Sequence, residues 1–87
     1  MDLKQIIPSI ELIQEIQESL ISKNLTVSTA ESLTAGMVGS SLATLPGASA
    51  MYQGGLIVYN DKAKIDVLGV PASTIDYFGA VSAECAM

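Results

Sequence analysis

The sequence predicts an α/β fold, a layered parallel-type sheet flanked by helices. Three observations carry this: an amphipathic helical stripe near the N-terminus, two β-rich runs each followed by a helical segment, and capping or breaking residues at the junctions. The chain has 87 residues, which bounds it at one domain. The expected layout is a single unit over 1–87, with an amphipathic helix over about 8–23 and a β-α-β-α core from about 25.

In the first helix Ile10, Ile13, Ile16 or Gln17, Leu20 and Ile21 recur at three- and four-residue spacing, while Glu11, Glu15 and Glu18 fall mostly on the other side. Pro8 suits the first helical turn, and Asn24 closes the helix after Lys23. Leu25 to Ala30 is β-branched and alternating, and reads as a strand. Small and hydroxyl residues, Glu31-Ser32-Leu33-Thr34-Ala35-Gly36, then lead into a helix expected over about Ala35 to Leu45, stopped by Pro46-Gly47. Ser32 is the expected N-cap of that helix. A second strand is expected within Met51 to Tyr59. Its continuous apolar core, Gly55 to Tyr59, predicts burial on both faces. Asn60 caps a helix over Asp61 to Leu68, closed by Gly69. Pro71 to Phe78 reads as a short helix ending at Gly79, and Ser82 caps a last one. Two strands seldom make a stable sheet alone, so the expectation is an incomplete, truncated domain.

Composition excludes several classes of function. Hydrophobic residues make up 49% and charged residues 15%, too apolar for a disordered chain. Four Lys and no Arg stand against nine Asp and Glu, for a net charge of −5, so no nucleic-acid partner is expected. No run of about 18 apolar residues is present, and no membrane partner is expected. The acidic polar face of the first helix argues against a membrane anchor. Lone Cys85 has no partner for an internal disulfide and reads as a small buried apolar residue. The run Ile6-Ile7-Pro8 is too short for a signal peptide, and a cytoplasmic location is expected. Without histidine the chain holds no Ser-His-Asp triad and no His-ligated zinc. No metal and no cofactor are expected.

Five collinear segments then carry a resemblance: Thr29-Ala30-Glu31-Ser32-Leu33-Thr34-Ala35-Gly36, Leu45 to Ala50, Gly54 to Lys64, Leu68 to Pro71, and Phe78 to Ser82. Together they resemble the CinA C-terminal domain family, competence- and damage-inducible proteins whose enzymatic members are nicotinamide-nucleotide amidohydrolases. The likeness runs from about Leu25 to Met87 and covers the first half of the family domain. The family's later threonine- and glycine-rich segment is absent. Leu33 and Ala35 stand where the family carries small residues and glycine, and Ala48 stands where it carries serine. The resemblance implies hydrolysis of the carboxamide of nicotinamide mononucleotide, with release of ammonia. The partner expected is therefore a small-molecule nucleotide. The other reading is a catalytically inactive domain that self-associates or binds a partner, and a homo-oligomer is expected under both.

Amide hydrolysis needs a nucleophile, a base and an oxyanion site. Without histidine the base falls to a lysine. Free lysine has a pKa of about 10.4, so burial must favour its neutral form before it can accept a proton. Lys64 is the candidate, in the first turns of a helix whose positive end disfavours the ammonium; Lys62 points elsewhere. Two serines compete as nucleophile: Ser49, in the Pro-Gly loop before the second strand, and Ser32, at the strand-to-helix turn. The resemblance matches a Ser-Lys pair to Ser49 and Lys64. Tyr59 is expected to relay or orient a proton. Glu31, Ser32, Thr34 and Gly36 are expected to bind substrate, with the ligand phosphate at a helix N-terminus. Each has a plain structural alternative: a loop serine at Ser49, a solvated helix lysine at Lys64, a half-buried packing tyrosine at Tyr59, and a surface carboxylate at Glu31.

Overall fold

The computed structural model describes residues 9–87. Pro8 and the Ile6-Ile7 run lie outside the described residues. The chain forms two compact units that divide after Ile57.

The first unit begins with α1 (Ile10–Ser22), whose N-cap is Ser9: its hydroxyl accepts the N–H of Leu12. Asn24, with φ 57°, closes the helix, and the N–H groups of Asn24 and Leu25 donate to the carbonyls of Ile21 and Leu20. This is the left-handed closure that Asn tolerates better than most residues. Of the predicted apolar stripe, Ile13 is buried at 1% exposure, Ile16 and Leu20 are half-buried, and Ile10 and Ile21 are exposed.

Strand β1 (Val27–Glu31) pairs in parallel with β2 (Tyr52–Ile57). The register sets Val27 beside Tyr52 and Glu31 beside Ile57, with an irregularity between Val27 and Ser28. Between them lie α2 (Met37–Leu42) and a 3-10 turn over Ala48–Ala50. Leu42, Ala48 and Met51 form the core, and Ile16, Leu20, Val27 and Tyr52 pack against it. The side-chain Nε2 of Gln17 donates to the Pro46 carbonyl at 2.9 Å, tying α1 to the loop before the 3-10 turn.

Helix α2 is shorter than the expected 35–45. Ala35 and Gly36 both have positive φ, 51° and 97°, so helical backbone cannot begin before Met37. The expected burial of β2 on both faces is also overturned: Leu56 is 47% and Ile57 57% exposed. Among the described residues the sheet has two strands. The face carrying Val27, Thr29 and Glu31 is the protected one, and Ser28 and Ala30 on the other are exposed.

In the second unit, α3 (Asp61–Leu68) starts at Asn60, whose side-chain oxygen accepts the Ala63 N–H, and ends at left-handed Gly69. Helix α4 (Ala72–Phe78) stops at Gly79. Helix α5 (Ala83–Ala86) is capped by the Ser82 hydroxyl. These four ends, at Asn60, Gly69, Gly79 and Ser82, match the expected caps. Ile75 is the buried side chain of α4. Cys85 is half-buried rather than buried. Among the described residues no helix is long and apolar enough to cross a membrane.

Candidate functional site

Strand periodicity puts Thr29 and Glu31 on the protected face of β1. Glu31 is buried, at 6% exposure. Its Oε1 accepts the Thr34 hydroxyl at 2.9 Å and the Val38 N–H at 2.8 Å. Its Oε2 accepts the Gly39 N–H at 3.0 Å and, more weakly, the Thr29 hydroxyl at 3.4 Å. Burial pushes the carboxyl pKa up, but the N–H groups of Gly39 and Val38 and the hydroxyls of Thr34 and Thr29 outweigh it and hold Glu31 below the ordinary value. Thr29 also shares a 2.9 Å hydrogen bond with the Tyr52 hydroxyl, which carries the network onto β2.

This arrangement corrects two expectations. Ser32 does not cap α2; Gly36 occupies the N-cap position without a side-chain bond, and Glu31 serves the first free N–H groups from the preceding strand. Two N–H groups at that helix start, those of Val38 and Gly39, donate to a carboxylate of this chain. Glu31 is therefore engaged internally and is not a surface carboxylate.

Ser32 is half-buried and opens a turn in which the Ala35 N–H donates to its carbonyl and the Met37 N–H to that of Thr34, both at 3.0 Å. Beside this turn is a cavity of about 280 Å³, lined by Glu31, Gly36, Gly39, Tyr52, Gly55 and Ile57 among others. Its glycines keep it open. A Cβ on Gly36 would lie 2.9 Å from the Ile57 side chain, and one on Gly39 would collide with the Tyr52 hydroxyl.

Ser49 is placed elsewhere. It lies in the 3-10 turn before β2, exposed, and, like Ser32, is not among the residues lining the cavity. Because the strands are parallel, the residues before Tyr52 sit at the opposite end of the sheet from those after Glu31. A strand of this length spans roughly 15 Å. The structure thus brings Glu31, Ser32, Thr34 and Gly36 together and leaves Ser49 apart from them.

In the second unit Tyr59 is 67% exposed, not a half-buried packing residue, and Lys64 is buried at 7%. The Lys64 Nζ donates to the Tyr59 carbonyl at 3.4 Å. Lys62 is exposed and pairs with Asp66 one turn along α3. Buried Lys64 is therefore not the ordinary solvated helix lysine, whereas Lys62 is. Among the described residues no group of three or more His, Cys, Asp or Glu is placed to hold a metal.

A parallel strand pair with a carboxylate-braced turn at the C-terminal end of its first strand places the chain among α/β proteins whose polar residues gather at that end. The comparisons narrow this: the chain belongs to the CinA C-terminal domain family, which matches residues 9–87. It is 44% identical over 75 residues to a CinA-like protein of Fervidobacterium nodosum, covering 86% of this chain and 18% of that protein. Among solved structures it is similar to the competence/damage inducible protein CihA from Agrobacterium tumefaciens, with TM-score 0.87, 39% identity, and coverage of 92% of this chain and 50% of that one. It is also similar to the competence damage-inducible protein A (ComA) from Klebsiella pneumoniae, with TM-score 0.84, 36% identity, and coverage of 86% and 47%. The chain thus spans about half the length of these solved structures and under a fifth of the relative from Fervidobacterium.

Proposed function

We propose that the chain carries the nucleophile-bearing part of a nicotinamide-nucleotide amidohydrolase, with a serine as nucleophile and a lysine as base. In this reaction the serine Oγ attacks the carboxamide carbon of nicotinamide mononucleotide while the lysine amine takes its proton. The C–N bond then breaks, ammonia leaves with that proton, and water hydrolyses the ester to the carboxylate. The observation that carries the reading is a half-buried serine, Ser32, at the C-terminal end of a parallel strand, in a turn braced by Glu31 and ending at Gly36, which lines a cavity.

Position selects between the two serines. Sites in parallel α/β sheets gather at the C-terminal ends of strands. Ser32 follows β1, while Ser49 precedes β2 and is exposed. We therefore assign the nucleophile to Ser32 and leave Ser49 as a loop residue. Lys64 remains the lysine assigned as base, because it is withdrawn from solvent while Lys62 is already paired with Asp66. Tyr59 remains the candidate to orient the amine, and the contact supporting that runs through its carbonyl.

The test is ammonia release from nicotinamide mononucleotide by the purified chain. Release that is abolished by Ser32→Ala and by Lys64→Ala and kept by Ser49→Ala is the expected result. Loss in Ser49→Ala with Ser32→Ala active returns the nucleophile to position 49. No release from the unmodified chain overturns the activity for this molecule and leaves the self-associating, non-catalytic reading.

A further inference from the structure

We propose that Glu31 is a positioning residue, whose buried carboxylate fixes the Ser32–Gly36 turn and so sets the direction of the Ser32 hydroxyl. The catalytic consequence rests on the hydrolase reading above; the structural claim does not.

The geometry leaves Glu31 little else to do. A carboxylate offers about four acceptor sites, and four donors of this chain occupy them. Those donors come from three successive pieces: Thr29 in β1, Thr34 in the turn, and Val38 and Gly39 in α2. The turn between them contains two successive residues of positive φ, Ala35 and Gly36. Alanine enters that region only when its surroundings force it. The backbone bonds Ala35 to Ser32, Met37 to Thr34 and Ser40 to Gly36 close the turn and join it to the start of α2, but none ties it back to β1. Glu31, the last residue of β1, makes that tie, through Thr34 in the turn and Val38 and Gly39 in the helix. The Thr29–Tyr52 bond anchors the same carboxylate to β2. The brace therefore begins one residue before Ser32 and closes on both sides of the turn that Ser32 opens.

A neutral glutamine in place of Glu31 keeps the shape but turns an NH2 group toward donors, so at least one of the four contacts becomes donor against donor. For Glu31→Gln the expectation is a kcat lower by about ten- to a hundredfold, the effect of a displaced reacting group, with KM within about threefold because substrate binding is untouched. Thr34→Val, which deletes one contact, lowers kcat in the same direction, and Thr34→Ser, which keeps the hydroxyl, restores it. A raised KM with kcat held would show Glu31 touching substrate and would overturn the proposal. So would unchanged kinetics in Glu31→Gln or, where that variant does not fold, in Thr34→Val. A second readout needs no activity: hydrogen exchange at the Ala35 and Met37 amides, which do not bond Glu31 themselves. Their exchange quickens about tenfold or more in both Glu31→Gln and Thr34→Val if the carboxylate holds the turn; exchange as in the unmodified chain overturns it. If the unmodified chain releases no ammonia, the hydrolase reading falls and these two amides decide the positioning claim alone.

Discussion

Glu31 keeps its charge away from water because four donors replace its hydration. That has a definite pH signature. The folded chain holds the ionised form more tightly than the unfolded chain does, so the folded-state pKa lies below the ordinary value. The stabilisation is complete above the unfolded carboxylate's pKa and is lost as pH falls through the lower folded value. Urea midpoints measured from pH 7 downward should therefore drop in the acid range, and drop less steeply in Glu31→Gln; equal slopes would show that this carboxylate is not responsible. Of the neighbouring glycines, Gly55 is fixed by contact rather than by turn geometry. A Cβ on Gly55 would lie 2.8 Å from the Thr29 carbonyl oxygen and overlap the Thr29 side chain. Gly55→Ala should cost about 1–3 kcal/mol in urea unfolding, as overpacking does, while Gly54→Ala meets no atom within 4 Å and strains only the backbone, at φ 142°. Glu31's part was hidden in the sequence. Capping rules look to the residue beside the helix, here Ser32, whereas Glu31 reaches N–H groups seven and eight positions later. Only the fold-back of α2 onto β1 creates that reach.

The helices were easier to read because their signals are local. Asn60, Gly69, Gly79 and Ser82 each mark an end through their own side-chain oxygen or backbone freedom. Asn60→Ala should remove the bond to the Ala63 N–H and about 1 kcal/mol of stability, read by thermal melting. In α1 the stripe was correctly oriented, but periodicity alone did not rank its members. Ile13 is almost fully buried while Ile10 is half exposed, since only the part of the helix near α2 meets a partner. Ile13→Ala should thus cost about 2–5 kcal/mol, and Ile10→Ala much less; similar losses at both positions would contradict the packing. Strand boundaries moved by one to two residues for β1, from 25–30 to Val27–Glu31. The apolar run at 55–59 was misread in its surroundings. A run of apolar residues says that a strand can be covered on both faces, not that another layer is there to cover it.

That uncovered surface sets the last expectation. Parallel sheets are found with both faces shielded, yet Ser28, Ala30 and Leu56 face outward from this one, and among the described residues no third strand pairs with β1 or β2. Unpaired strand edges beside exposed apolar side chains invite another strand, and charged residues are the usual deterrent. β2 carries none, reading Tyr-Gln-Gly-Gly-Leu-Ile. A second copy of the chain meets the need, because two copies related by a two-fold axis can pair β2 with β2 antiparallel and satisfy both edges with one interface. The small residues Ser28, Ala30 and Gly54 impose no bulk on such an approach. Light scattering should accordingly give a mass above that of one chain. Leu56→Lys, which sets a charge on the exposed strand, should return it to the monomer without changing the circular dichroism spectrum, since Leu56 is not part of the core. A single-chain mass for the unmodified protein, or a Leu56→Lys variant that still associates, would remove β2 as the contact.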